Sequence, residues 1–111
     1  MGKRALAASR LLAPLSARAK NGILKVMADA IESRRETIKQ ANAEDMAAGR
    51  AAGLSAAMLD RLELTDKRIA AMAAGLREVA GLKDPVGRTL RRWTRPNGLV
   101  IRKVRVPIGV I

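Results

Sequence analysis

Few side chains in this chain of 111 residues can do chemistry, and two types are missing altogether: it has no Cys and no His. A thiol nucleophile, a Cys-ligated zinc and a disulfide framework are therefore excluded for these residues. The usual general base and the commonest metal ligand go with them. What remains is a handful of acids and bases. Asp60 and Arg61 are adjacent, but between Leu59 and Leu62 they read as a helix-surface ion pair or cap, a common and weak feature. Glu44 and Asp45 have no His beside them to complete a metal set. Met27, Met46, Met58 and Met72 read as core fillers. The glycines spell neither GxGxxG nor a P-loop. Gly109, inside Pro107-Ile108-Gly109-Val110-Ile111, reads as a close-packing position in a strand. This reading assigns no catalytic, cofactor-binding or metal-binding residue.

The remaining chemical signal is charge. The net charge is +12 and is unevenly spread. Residues 1–82 hold 14 Lys and Arg against 9 Asp and Glu, whereas residues 83–111 hold 8 against 1. Arg88, Arg91, Arg92, Arg95, Arg102, Lys103 and Arg105 could meet a phosphate backbone, or be a solvated face that meets an acidic patch. Charge alone does not choose. Trp93 is the only aromatic residue, which argues against single-strand recognition by stacking. A nucleic-acid partner is therefore the alternative reading and not the favoured one.

The elements that carry these residues follow from periodicity and punctuation. Ala5 to Leu12 is rich in helix formers and ends at Pro14. Ser16 can cap a helix in which Ile23, Leu24, Met27, Ala30 and Ile31 share helical spacing. A further helix is expected from about Ile38 to Gly49, then a break at Gly53-Leu54 and a short helix capped by Ser55. From Asp66 the face Ile69, Met72, Ala73, Leu76, Val79 and Ala80 predicts a helix stopping at Gly81. After Asp84-Pro85, Pro96-Asn97-Gly98 marks a hairpin turn, since Asn-Gly tolerates positive φ. Val104 and Val106 alternate with basic residues, and the apolar run to Ile111 reads as the start of another strand. The expected fold is mainly α, a helical bundle over 1–82, with a β-hairpin and first strand over 83–111. An apolar, β-prone run at Ile111 leads to the expectation that more chain follows. No apolar run approaches the roughly 20 residues of a membrane span, and no secretory signal is legible. A cytoplasmic protein with no membrane partner is the default.

The order of motifs resembles the γ-glutamyl phosphate reductase (glutamate-5-semialdehyde dehydrogenase) family of the aldehyde dehydrogenase superfamily. Ala41-Asn42-Ala43-Glu44-Asp45 is similar to its ANxxD segment. Gly53-Leu54, Met58-Leu59-Asp60-Arg61-Leu62, Leu64-Thr65 and Arg68-Ile69 resemble its GL…LDRL.LT..RI run. Gly75-Leu76-Arg77 and Val79 continue it. Asp84-Pro85-Val86-Gly87, Trp93 to Leu99, and Arg105 to Ile111 resemble its DPVG, its hairpin and its RVPxGVI strand. Ala19 departs from that pattern, as do the basic Arg88, Arg91 and Arg92. The resemblance implies the N-terminal part of an α/β fold whose nucleotide-binding domain is absent here. It also implies NADPH-dependent reduction of γ-glutamyl phosphate to glutamate-5-semialdehyde in proline biosynthesis, with a homo-oligomer as a further implied partner. In that family a Cys thiolate attacks the acyl phosphate. The family's catalytic Cys, cofactor loops and phosphate-binding Asn lie downstream of this segment, so none is carried over to a position here and this segment is expected to be inactive.

Overall fold

The computed structural model describes residues 2–111, as five helices and a two-stranded antiparallel sheet. The helices are α1 Gly2–Leu12, α2 Ala17–Ser33, α3 Arg35–Ala51, α4 Ala56–Leu62 and α5 Asp66–Gly81; the strands are β1 Thr89–Thr94 and β2 Val100–Val104. The chain divides into two compact units. One is Asn21–Gly81; the other joins the residues up to Lys20 with Leu82–Ile111. The α1 region clusters with the hairpin segment.

Local chemistry sets the helix ends. Ser16 accepts a bond from the Ala19 amide at 3.2 Å and starts α2. Ser55 does the same for Met58 at the start of α4, and Thr65 for Arg68 at the start of α5. α3 begins earlier than its apolar spacing predicts, at Arg35. Backbone bonds from Arg34 to Ala30 and from Ile38 to Arg34 carry the chain across from α2 with one non-helical residue. α3 ends in a Schellman arrangement. Leu54 N–H donates to the Gly49 carbonyl, Gly53 N–H donates to the Arg50 carbonyl, and Gly53 takes the left-handed φ of 74° that this end requires.

In the Asn21–Gly81 unit the buried residues are Ala28, Asn42, Met46, Gly49, Ile69, Ala73 and Ala80. Small side chains dominate, so helix axes can lie close. Gly49 shows how close: a Cβ there would meet methyl groups of Leu54, Leu59 and Leu62 at 3.0–3.3 Å. Ile69 is fully buried, a contribution of roughly 1.5–3 kcal/mol. The methionine expectation is corrected here. Met46 is buried, but Met27, Met58 and Met72 are about half exposed, as is Ile23. The buried stripe runs through the alanines beside them, because helices this close leave no room for long side chains at the contact.

The buried Asn42 organises the link between α4 and α5. Its amide N–H donates to the Leu62 carbonyl at 2.9 Å, and its Oδ1 accepts from the Leu64 amide at 2.7 Å. A polar group that is buried must be satisfied, and Asn carries its donor and its acceptor on separate atoms, so it can serve both backbone groups at once. Arg68 reinforces the same link, donating to the Asp60 and Glu63 carbonyls and pairing with the Asp60 carboxylate at 2.9 Å.

The hairpin pairs Arg91 with Lys103, Arg92 with Arg102, Trp93 with Ile101 and Thr94 with Val100, with a bulge between Thr89 and Arg91. Its loop is Pro96-Asn97-Gly98. Gly98 N–H donates to the Arg95 carbonyl, and the left-handed residue is Gly98 alone, at φ 82°. Asn97 contributes its side chain instead, accepting from Leu99 N–H at 3.2 Å. The expected further strand is not formed. Arg105 exchanges backbone bonds with Gly87 and Arg88, and no ladder continues past it. Gly109 is likewise corrected. It sits at φ 95° with open space where a Cβ would be, so backbone conformation, not close packing, requires glycine.

Replacing Asn42 by Ala leaves the Leu62 carbonyl and the Leu64 amide without their partner. The expected loss is about 1–3 kcal/mol, read from urea unfolding. Gly75→Ala, at a helical site with nothing near its Cβ, is the comparison and should gain up to about 1 kcal/mol. An Asn42→Ala chain as stable as the wild type would remove the link from this account.

Candidate functional site

Three groups of polar side chains stand out. The first is in the helical unit, where Arg77 of α5 reaches α2, donating to Glu32 at 2.7 and 2.8 Å and to Asp29 at 2.7 Å. That grip raises the Arg77 pKa further and lowers that of Glu32, through the hydrogen bonds first. Arg35 and Lys39 similarly meet Asp66 at the start of α5, at 3.9 and 3.2 Å. These pairs use the acids and bases of three helices to hold one another. Asp60 belongs here too, with Arg68 as its partner; the side chain of its neighbour Arg61 is in no ion pair among the described residues. Glu44 and Asp45 are exposed on α3, and no group of His, Cys, Asp and Glu among the described residues could hold a metal.

The second group lies within the other unit. Lys20 Nζ donates to Asp84 Oδ2 at 2.7 Å, and Asp84 Oδ1 accepts from the Val86 amide at 2.9 Å. Both side chains are mostly buried. The pair stands in an open groove of about 290 Å³ that also has Leu12, Val86, Ile108 and Gly109 in its wall. Its cation is already neutralised by Asp84, and its walls are mainly apolar. The groove is at the small end of ligand pockets, which run about 300–1,000 Å³. Among the described residues no glycine-rich turn lies at a helix start to receive a pyrophosphate. These residues do not fit a dinucleotide.

The third group is the hairpin. Every residue of β1 is exposed, as is β2 except for Ile101. Arg91 and Lys103 oppose one another on one face, next to Trp93 and Ile101; Arg92 and Arg102 do so on the other. The Arg91 guanidinium lies over the Trp93 ring, 5.4 Å from its centre, a cation–π contact. The basic residues named from the sequence are thus brought together, as like-charge pairs that the sequence did not reveal.

No family model matches the chain. Similar proteins do. A γ-glutamyl phosphate reductase of Moorella thermoacetica is 58% identical over 99% of this chain and 26% of its own length. Another, of Mesorhizobium japonicum, is 55% identical over the whole chain and 26% of its own. The crystal structure of γ-glutamyl phosphate reductase from Thermotoga maritima superposes with a TM-score of 0.86, at 40% identity, over 96% of this chain and 26% of that one. The Saccharomyces cerevisiae enzyme gives 0.83, at 31% identity, over 95% and 27%. The chain belongs with the γ-glutamyl phosphate reductases, as an N-terminal segment. It spans about a quarter of the length of these relatives. Five helices and a hairpin are what that part of the solved reductases contains, and the reading as a small nucleic-acid-binding helical protein is not favoured. None of the described helices is long and apolar enough to cross a membrane.

The Lys20–Asp84 pair has a pH signature. Its first cause is the Lys20 hydrogen bond and its second the Val86 amide, and together they hold the Asp84 pKa below the ordinary 3.8. A depressed carboxyl stabilises the fold above the unfolded pKa and loses that contribution as pH falls through the folded one. The Asp84 carboxyl carbon resonance should therefore titrate with a midpoint below 3.8, and Lys20→Ala should move it upward. A midpoint at or above 3.8 in the wild type would break the assignment.

Proposed function

We propose that this chain is the helical and hairpin part of an NADPH-dependent reductase that converts γ-glutamyl phosphate to glutamate-5-semialdehyde in proline biosynthesis. One observation carries the reading: more than half of its positions match proteins of that name over essentially its whole length. The chemistry agrees. Reducing an acyl phosphate through a thioester needs a thiolate, and no Cys occurs among these 111 residues. On this reading the thiolate belongs to the part of the relatives that this chain does not span. What these residues contribute is a scaffold. The Arg77 and Asp66 ion pairs, with Asn42, hold the helices of one unit, and Lys20–Asp84 ties the segment after α5. The residues from Val106 to Ile111 expose Val106, Ile108 and Ile111, as suits a run that meets a sheet in the longer protein. A homo-oligomer and a cytoplasmic setting belong to the same reading and rest on the family likeness.

The 111-residue chain alone should show no NADP-dependent oxidation of glutamate-5-semialdehyde in the presence of phosphate. The assay is absorbance of the reduced nicotinamide. Turnover above background by the purified chain would mean that the chemistry does not need a thiolate.

A further inference from the structure

Within the unit Asn21–Gly81, α5 runs antiparallel to α2. The ion pairs give the direction. The start of α5 meets Arg35 and Lys39 through Asp66, whereas Arg77, further along α5, reaches back to Asp29 and Glu32. Ala28 of α2 and Ala73 of α5 are fully buried and mark the packed side of each helix. One residue turns a helix by about 100°. Met27 and Met72, each one position before its buried alanine, therefore stand beside the packed side. Antiparallel helices turn in opposite senses when viewed from one end, so the two methionines fall on the same face of the pair. Asp29 follows Ala28 and falls on the other face, where Arg77 meets it.

The two faces differ in chemistry. One is closed by the grip of Arg77 on Asp29 and Glu32. The other is apolar. Ile23 and Met27 are four apart on α2, and Met72, Leu76 and Val79 are four and three apart on α5, which keeps each set on one stripe of its helix. Ile23, Met27, Met72 and Val79 are about half exposed, and Leu76 is half-buried. Their spacing is that of core residues, and the unit that contains them does not complete the core around them.

Charge argues against two occupants of this stripe. The unit Asn21–Gly81 contains nine basic and nine acidic residues, and the stripe contains none, so an anionic surface gains nothing from it. A second copy would bring with it the +12 of the other unit, which repels. Size points to a third. The chain spans about a quarter of the reductases it matches, and the same fold recurs inside the solved ones. The larger part of each of those polypeptides lies outside this fold and has to pack against it. A helix buries its apolar stripe against another layer of structure, and methionines adapt to an irregular neighbouring surface.

We propose that the stripe formed by Ile23 and Met27 of α2 with Met72, Leu76 and Val79 of α5 is the surface on which the remainder of the reductase packs. The proposal rests on the reductase reading and adds to it the face of the helix pair that is covered.

The methionines are built-in probes, because peroxide converts a thioether that solvent reaches into the sulfoxide. Hydrogen peroxide oxidation is followed at each methionine by mass spectrometry, with free methionine as the reference. It is done on the 111-residue chain and on a chimera in which that chain replaces the matching quarter of the Moorella thermoacetica protein. In the isolated chain Met27 and Met72 should oxidise about tenfold faster than the buried Met46. In the chimera both should slow to the rate of Met46. A chimera that turns over while Met27 and Met72 react as fast as in the isolated chain overturns the proposal and leaves the reductase reading standing. A chimera that does not fold overturns both, because the remainder then does not fit this surface. Protection of both methionines in the isolated chain, lifted by dilution, would place a second copy on the stripe and overturn the proposal as well.

Discussion

The helical unit turns on one buried amide. Asn42 projects from the middle of α3 and satisfies both the last carbonyl of α4 and an amide two residues later. The bond pair fixes where the chain leaves α4, and so where Thr65 can cap α5 and where Ile69 and Ala73 enter the core. Arg68 repeats the arrangement from the outside, through two carbonyls and a carboxylate. A core built largely of alanine and glycine gains little from each side chain. Its cohesion depends on how closely the helices approach, and that approach depends on their ends being held.

Charge is used differently in the two units. Among the helices, acids and bases are matched in number and many are matched in space, with Arg77 bridging α2 and α5 and Asp66 meeting α3. Exposed pairs of this sort are individually worth little. Their value here is in register, because each joins elements far apart in sequence. In the other unit one ion pair is buried and functions as a structural pin, and the rest of the cations are left to whatever lies outside. The matched charges belong to the unit Asn21–Gly81 and the unmatched ones to the unit that contains the hairpin.

Much of this was legible in the sequence where a single residue decides a local conformation. Ser16, Ser55 and Gly53 announce helix ends because each supplies one specific group or one specific φ. Pro96 to Gly98 announces the hairpin for the same reason. What depends on distance between elements was hidden. Met27 and Met72 share the helical spacing of core residues, yet neighbouring alanines took the contact. Asn42 reads as an ordinary polar position until α4 arrives beside it. Gly109 looked like a packing glycine because its neighbours are apolar, whereas its backbone angle is the reason for it. The bulge at Leu90, which sets Arg91 opposite Lys103, follows from strand register that no single residue fixes. The site chemistry was legible only as an absence, since Cys and His are missing from the composition itself.

On the proposed reading, these residues are a structural quarter of a reductase and position the residues of the rest. The direct measurement is a chimera in which these 111 residues replace the matching quarter of the Moorella thermoacetica protein, assayed for NADPH-dependent reductase turnover beside the parent. The account predicts a soluble chimera with turnover within about tenfold of the parent, a barrier change of about 1.4 kcal/mol. A chimera that folds and binds NADPH as the parent does, yet has no turnover, would contradict it.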